Sequence, residues 1–488
     1  MSTMLSSANL RRHWALVALL SLALGFHLPI FGDALNPDAT TYLAVAKSIA
    51  TQGSLGIETT LAPRHPPLMP LLLTPFGLAL GFNDISVHIL ELIAFVVLLL
   101  LTYSLSRGFG PRVSLVPGLL LSVDPVLYLN MSDGRSLCVL MILALSTLLA
   151  VWRGLVDSRW LVVAAMSASL AYLTADSVGY LFPIAGIAGL AWRFYYVRWQ
   201  VFRDRWYLSA VAIFSSVVLV WTGYNVASQG NPYTDPRVIG YLDRLIGSTH
   251  LDIQIVMIGG FVVYFFLYLG QNFLPFLALR EARSAVRSLP AKLVRDQRIG
   301  AMGLFIVLTI LTSAVLSSAF TLYEPLRTLD HSDTYLRYAA VVAPIAFLGV
   351  GMLARTCSRT SKRWIAPLAV ALIVLAVQFV PQAIERDDSS AWFHALQKDL
   401  SARNIETVYS DIAIYLRYNT GGVAFLSIDK GYSTPSVNIT TSDVPPGSAL
   451  LTLIYVPARF DERIEGLYLV YHFDPAINGP FANLYYRN

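Results

Sequence analysis

The sequence contains little charge for its length. Of its 488 residues only 13% are Asp, Glu, Lys or Arg, whereas 56% are hydrophobic; soluble domains carry about 25% charged residues. This shortage excludes an ordinary soluble enzyme, a disordered chain and a fibrous protein, and it indicates a chain that crosses a membrane several times. The mean hydropathy of +0.59 also indicates a membrane protein. The 12% aromatic content is typical of a chain with many helix ends at a lipid–water interface.

Cysteine is also scarce. Cys138 and Cys357 are the two in the chain, and they lie far apart, so they form neither a disulfide framework nor a Cys-x-x-Cys metal pair. The sequence has no internal repeat and no low-complexity tract. It also has no long basic run with interleaved aromatic residues, which excludes the usual pattern of a nucleic-acid-binding protein.

Long apolar runs divide most of the chain. A helix needs about 20 apolar residues to cross a bilayer, and the first such run follows Arg11 and Arg12 as an uncleaved signal anchor. The pattern predicts eleven spans, near residues 13–32, 85–106, 112–129, 134–152, 159–175, 178–195, 206–226, 253–279, 300–320, 336–355 and 364–382.

The distribution of lysine and arginine predicts the orientation of these spans. With the N-terminus inside, the inner segments hold 20 of the 35 cations and the outer inter-helix loops hold 7, as the positive-inside rule requires. An odd number of spans then places the C-terminus outside. Acidic residues gather in the outer loops, so we expect a multi-pass protein of the cell membrane whose active site faces the extracytoplasmic side.

The composition changes after residue 383. Residues 391–403 have the apolar spacing of a short amphipathic helix. Four short β-rich runs follow, separated by Gly, Pro and Asn turns, at 407–409, 423–428, 450–455 and 466–471. We therefore predict a mostly α fold: a membrane helical bundle at 1–383 and a small extracytoplasmic α/β domain at 384–488.

The first outer loop, residues 33–84, is long enough to hold structure of its own. Asp38 follows a proline at the predicted start of a helix. Tyr42 lies on the apolar face of that helix, which predicts an amphipathic helix along the interface. Arg64, His65 and two prolines then precede an apolar run too short to cross, which we expect to re-enter the bilayer or to lie flat.

This order of residues resembles the first external loop of the GT-C membrane glycosyltransferases. In pattern it is most similar to the protein O-mannosyltransferases and the lipid A aminoarabinose transferases. Three later segments agree in order, and the resemblance covers residues 10–380. These segments are Ser132-Asp133-Gly134 before the fourth span, Trp221 to Asn225 with Gly230-Asn231-Pro232-Tyr233 after the seventh, and Tyr335-Leu336-Arg337-Tyr338 with Pro344 at a late span.

The sequence departs from the family pattern at two positions. Ala39 stands where an acidic residue usually follows the loop aspartate, and the basic residue often found near the end of the fifth span is absent, with Asp176 in that vicinity. Both departures leave the identity of the sugar and of the acceptor open.

The resemblance implies an enzyme that moves a sugar from a polyprenyl-phosphate carrier to a hydroxyl of a protein, lipid or glycan acceptor. Such a reaction needs a base for the hydroxyl and cations for the developing phosphate charge. Glu324, His331 and Asp333 could bind a metal, but their spacing matches no known ligand motif, so no metal or other cofactor is expected. Asp38 is the expected base of an inverting displacement. Arg337, whose guanidinium can bind phosphate in a fork, is the first donor-phosphate ligand, with Arg64 and His65 next. The expected substrate-binding residues are Asp133, Tyr42, Tyr338 and Asp176.

Structural readings and other functions compete with this hypothesis. Asp38 and Asp133 can simply cap helices, and Arg337 can anchor a span end by snorkelling. A transporter or flippase of lipid-linked glycans would carry ionisable residues in mid-span, where this sequence has mainly Glu91. A ligase or polymerase of lipid-linked oligosaccharides would place its long outer loop later in the chain. An oligosaccharyltransferase would need a metal-binding acidic pair in the first loop, and Asp33 lies too far from Asp38 for that.

Overall fold

The computed structural model is mostly helical. It describes residues 7–31, 35, 37–56, 65–110, 113–174, 198–230, 259–260, 262–263, 266–268, 270–289, 307, 311, 341, 343–358, 362–410, 424–427, 444–446, 448–454, 468–473 and 481–486. The helices in these residues are α1 (Ser7–His27), α2 (Pro37–Gln52), α3 (Leu68–Leu80), α4 (Asp84–Ser106), α5 (Val116–Ser122), α6 (Pro125–Ser132), α7 (Leu137–Gly154), α8 (Trp160–Tyr172), α9 (Arg205–Gln229), α10 (Arg280–Arg287), α11 (Ala343–Ser358) and α12 (Ile365–Ala402).

Several of the described helices are apolar enough to enter a membrane. Three of them have the length and composition to cross one, at Asp84–Phe109, Leu137–Gly154 and Arg205–Ser228. Shorter apolar helices lie at Leu16–Ile30, Leu68–Leu80, Trp160–Tyr172, Ala343–Ser358 and Ile365–Val380. The predicted helical fold class is confirmed, whereas the number of spans and their orientation stay predictions. The predicted spans at 178–195 and 300–320 lie wholly or largely outside the described residues.

The predicted span at 112–129 is divided into α5 and α6. The break lies at Asp124, whose Oδ1 accepts hydrogen bonds from the backbone N–H groups of Val126 and Leu127 at 2.9 and 3.0 Å. Pro125 follows in the first turn of α6, where its missing N–H is not needed. The cap therefore starts a new helix within a continuous apolar run, a feature that hydropathy does not detect.

A single helix, α12, replaces the two helices predicted at 364–382 and 391–403. It has 38 residues and continues through the charged segment 385–388. The prediction of a helix end there is wrong because Glu and Arg are good helix formers and Asp costs only about 0.7 kcal/mol or less per residue relative to Ala, which is too little to stop a long helix. The predicted domain boundary at 383 falls inside α12 and stays a prediction.

A five-stranded sheet follows α12. Its strands are β1 (Thr407–Ser410), β2 (Ala424–Ser427), β3 (Ala449–Ile454), β4 (Tyr468–Phe473) and β5 (Phe481–Tyr486), in the order β2-β1-β3-β5-β4. β1 runs parallel to β2 and β3, and β5 runs antiparallel to β3 and β4. The four predicted runs correspond to β1–β4, and β5 is an additional strand that the sequence pattern did not predict. Val444, Leu450 and Tyr485 form a small buried cluster on this sheet.

The helical core positions the beginning of α2. This helix packs against α3, α3 against α4, and α4 against α7, while α6 packs against α12. Ala39, Tyr42, Leu43 and Ala46 are buried in the large apolar cluster that these helices share. The first turns of α2 are therefore enclosed by protein, more completely than an amphipathic helix lying on a membrane surface would be.

Candidate active site

Asp38 lies in the first turn of α2. Pro37 begins the helix, and the partial positive charge of a helix N-terminus favours a carboxylate there. The Asp38 side chain keeps 36% of its surface exposed, although Ala39, Thr40 and Thr41 beside it are buried. Its carboxylate is thus accessible from outside at one end of an otherwise enclosed helix.

His65 lies beside this carboxylate. Its Nε2 is 3.6 Å from Oδ1 of Asp38, which is an electrostatic contact longer than an ordinary hydrogen bond. The His65 ring also contacts the buried ring of Tyr42 edge to face, with 4.9 Å between the centroids. The structure therefore brings together three of the predicted site residues, Asp38, Tyr42 and His65, across the segment that joins α2 and α3.

The segment after His65 also reaches the end of α8. The backbone N–H of Leu68, the first residue of α3, donates to the carbonyl of Leu173 at 2.9 Å. Buried Pro66 and Pro67 restrict the backbone between these points, and Pro67 is the N-cap of α3 with φ −79° and ψ −14°. The end of α8 therefore lies near the His65 side of the site.

Asp133 lies in a sharp turn between α6 and α7, which we call the α6–α7 elbow (residues 133–135). Its Oδ2 is 2.9 Å from Nη2 of Arg135, and both side chains are largely buried. Gly134 between them has φ +71°, a conformation that favours glycine. Asp133 does not cap α7, since Ser136 occupies that position; it forms an ion pair.

The elbow packs against the first turn of α2. A Cβ atom added at Gly134 would lie 3.0 Å from Cβ of Ala39 and 2.7 Å from Cγ1 of Val87. Ala39, which follows Asp38, and Gly134, which follows Asp133, are therefore in direct contact. This packing places the Asp133–Arg135 ion pair in the same region as Asp38 and His65.

The remaining predicted site residues lie outside the described residues. They are Arg64, Asp176, Arg337 and Tyr338, and Asp33 of the first outer loop lies outside the described residues too. In the described part of the chain, no three His, Cys, Asp or Glu side chains group closely enough to hold a metal ion.

Two residues of this region were missed by the sequence analysis. Arg135 was counted only as a cation of an outer loop, although an arginine two residues after an aspartate in an otherwise uncharged loop was a usable signal. Tyr268 donates a hydrogen bond of 2.7 Å from its hydroxyl to Oδ2 of buried Asp124. No local pattern could have indicated that contact, since the two residues are 144 positions apart.

Comparisons with known proteins agree with the fold described above. The family model of dolichyl-phosphate-mannose-protein mannosyltransferases matches residues 64–222. ArnT from Cupriavidus metallidurans bound to undecaprenyl phosphate has a TM-score of 0.57 at 13% identity, over 96% of this chain and 97% of that chain. The apo state of ArnT has the same TM-score and coverage at 15% identity.

A third similar structure is the archaeal oligosaccharyltransferase AglB from Archaeoglobus fulgidus, with a TM-score of 0.48 at 12% identity, over 91% of this chain and 69% of that chain. No curated protein matches the sequence. The predicted resemblance to the GT-C superfamily of membrane glycosyltransferases is confirmed by the family model together with the fold of ArnT.

Proposed function

We propose that this chain, which has a GT-C glycosyltransferase fold, transfers a sugar from a polyprenyl-phosphate carrier to an acceptor hydroxyl at the extracytoplasmic face of the cell membrane. One observation carries the proposal: an accessible carboxylate, Asp38, lies 3.6 Å from His65 and next to the elbow that holds the Asp133–Arg135 ion pair. The undecaprenyl phosphate bound to ArnT supports a lipid-linked donor.

In this proposal Asp38 is the general base. One carboxylate oxygen takes the proton of the acceptor hydroxyl while the hydroxyl oxygen attacks the anomeric carbon, and the bond from that carbon to the carrier phosphate breaks on the opposite face. Polyprenyl phosphate leaves without protonation, so a single well-placed base is sufficient. His65 orients the carboxylate, and Tyr42 supports the His65 ring.

Cations stabilise the departing phosphate. Arg337 and Arg64 keep their predicted roles, and we add Arg135. Its guanidinium is held by Asp133 at 2.9 Å, and a planar group fixed in this way is suited to bind phosphate oxygens through parallel N–H bonds. Asp133 then acts as a positioning residue for Arg135. Tyr338 and Asp176 remain proposed substrate-binding residues.

The decisive experiment measures transfer from radiolabelled polyprenyl-phosphate sugars to acceptors in host membranes, with purified protein. Asp38→Asn is expected to lower the rate by about 10²–10⁴-fold, the range for loss of a general base, with an unchanged melting temperature. Asp84→Asn is the matched control, because Asp84 also lies in a helix first turn, that of α4, and should leave the rate unchanged. Full turnover by Asp38→Asn would exclude Asp38 as the base.

A further inference from the structure

A second polar surface lies at the other end of α7 from the candidate active site. The helix has 18 residues and is therefore about 27 Å long, which is close to the thickness of about 30 Å of a hydrocarbon core. At this end α7 turns into α8, and α8 also packs against α9. Residues 152–160 and 198–206 form the surface, which we call the arginine–tryptophan surface.

Arginine side chains on this surface lie over tryptophan rings. The guanidinium carbon of Arg153 is 4.4 Å from the ring centroid of Trp160. Those of Arg205 and Arg159 are 5.1 and 5.9 Å from the ring centroid of Trp206. Because Arg159 directly precedes α8 and Trp206 belongs to α9, the contact between them joins the two parts of the surface.

The charge of this surface is strongly positive. Arginines occupy positions 153, 159, 198, 203 and 205, against aspartates at 157 and 204. Both aspartates accept backbone hydrogen bonds, Asp157 from the N–H of Arg159 and Asp204 from the N–H of Trp206. The surface is therefore complementary to an anion.

Large apolar side chains accompany the arginines. Val156 is 68% exposed and Trp199 is 72% exposed. An open groove lies at the turn between α7 and α8, lined by Trp152, Arg153, Val156, Asp157 and Trp160. Exposed tryptophan beside arginine at the end of a membrane-length helix is typical of the lipid headgroup level.

We propose that the arginine–tryptophan surface binds the headgroup of an anionic phospholipid. Arg153 and Arg159 contact the phosphate, because a guanidinium binds phosphate in a fork, and Trp160, Trp199 and Val156 contact the glycerol and the first acyl carbons. Each arginine near a membrane adds attraction for anionic lipid, and a zwitterionic lipid offsets that attraction with its own cation. This site is independent of the proposed transfer reaction, which is placed at the opposite end of α7.

Native mass spectrometry of the full-length protein tests the proposal. The protein is released from mixed micelles that contain equal amounts of phosphatidylglycerol and phosphatidylcholine with identical acyl chains. We expect phosphatidylglycerol to be retained preferentially, and the double variant Arg153→Gln with Arg159→Gln to reduce this retention by roughly 10-fold. Inorganic phosphate at millimolar concentration should not displace the lipid, which separates a headgroup site from a site for free phosphate.

A matched control removes the same charge elsewhere. Arg283→Gln with Arg287→Gln changes two exposed arginines of α10, and its lipid retention should equal that of the wild type. Should the glutamine variant fail to fold, Arg153→Lys with Arg159→Lys keeps the charge but loses the planar fork, and retention should still fall. Equal retention of both lipids by the wild type, or an equal loss in the α10 control, would overturn the proposal.

Discussion

At the scale of single residues, the candidate site depends on an ion pair in largely apolar surroundings. Asp133 and Arg135 lie 2.9 Å apart, mostly buried. We expect Arg135→Lys to raise the KM for the polyprenyl-phosphate donor by about 10-fold, because an ammonium keeps the charge and loses the bidentate geometry. Initial rates at varied donor concentration measure this effect, and an unchanged KM would exclude a direct phosphate contact.

A second variant at the same position separates binding from folding. Arg135→Ala leaves the buried Asp133 carboxylate without its cation, and breaking a buried pair in this way costs about 3–5 kcal/mol. We therefore expect a clear fall in melting temperature for Arg135→Ala and little change for Arg135→Lys. A loss of stability in both variants would mean that the pair is structural only.

Tyr268 and Asp124 give a prediction about stability alone. Tyr268→Phe removes the hydroxyl that donates to Asp124 Oδ2, leaving a buried carboxylate oxygen unsatisfied, so we expect destabilisation of about 1–3 kcal/mol. Transfer activity per folded molecule should not change. Tyr224→Phe on α9 is the control, because the Tyr224 side chain is exposed. Thermal melts in detergent compare the two variants with the wild type. Equal melting temperatures for Tyr268→Phe and the wild type would contradict the prediction.

Local contacts of the candidate site could be predicted from the sequence better than distant ones. Asp38, Tyr42 and His65 lie close together, because a proline and an aspartate mark the start of α2 and the helical period puts Tyr42 on its inner face. Their roles in the reaction stay predictions. Arg135 meets the same region only because Gly134 of the elbow packs against Ala39 of α2 and Val87 of α4, which is a tertiary contact. A single sequence carries no local signal for such a contact.

At the scale of elements, Gly134 determines how closely the α6–α7 elbow approaches α2. We expect Gly134→Ala to lower the transfer rate, because the new Cβ would be 2.7 Å from Val87 and 3.0 Å from Ala39 and would push the elbow from Asp38. Gly53→Ala is a matched control: φ at Gly53 is +67°, yet nothing lies within 4 Å of an added Cβ. Both variants carry a similar backbone cost of about 1–2 kcal/mol.

The rates and melting temperatures of these two glycine variants are therefore compared directly. Similar melting temperatures with a lower rate only in Gly134→Ala would support the role of the elbow contact in activity. Equal rates in both variants would show that the contact does not affect the proposed reaction.

The continuous helix α12 is a second feature at this scale. Ile373 and Lys398 lie 25 positions apart, so a single helix separates them by about 37 Å along its axis. We expect spin labels at Ile373→Cys and Lys398→Cys to give a narrow distance distribution near this value by pulsed electron resonance. A break at 385–388, as the composition suggested, would give a shorter and broader distribution.

The described elements differ in how well they could be predicted. Long helices such as α4, α7 and α9 follow directly from apolar runs. β5 was missed because both of its faces mix aromatic with small or polar residues, Phe481 and Asn483 on one and Ala482 and Tyr486 on the other, so no alternation marks it. Its pairing with β3 and β4 stabilises it in the fold.

At the scale of the whole molecule, the position of Glu91 bears on the competing transport hypothesis. Glu91 lies on α4 and is fully buried, with its carboxylate against Cys138 of α7. A transport pathway would connect such a group to water. The accessible carboxylate is that of Asp38 at a helix end, which suits an enzyme that acts at the membrane surface.

The orientation of the chain gives the last prediction. α7 is about 27 Å long, with the candidate site at its beginning and the arginine–tryptophan surface at its end, and the loop cations favour that end as the cytoplasmic one. Lys47→Cys, at an exposed position of α2, and Val156→Cys on the other side are therefore expected to react with a membrane-impermeant maleimide from opposite sides. In intact cells Lys47→Cys should be labelled and Val156→Cys should be labelled only after permeabilisation.

The two native cysteines should contribute little background labelling to this experiment. Cys138 and Cys357 are both buried, so the unmodified chain should show little labelling under either condition. Labelling of both introduced cysteines in intact cells would mean that α7 does not cross the bilayer. Labelling of Val156→Cys alone in intact cells would mean that the topology is the reverse of the predicted one. Asp38 would then face the cytoplasm, and the proposed extracytoplasmic transfer would be wrong even if Asp38 were the base.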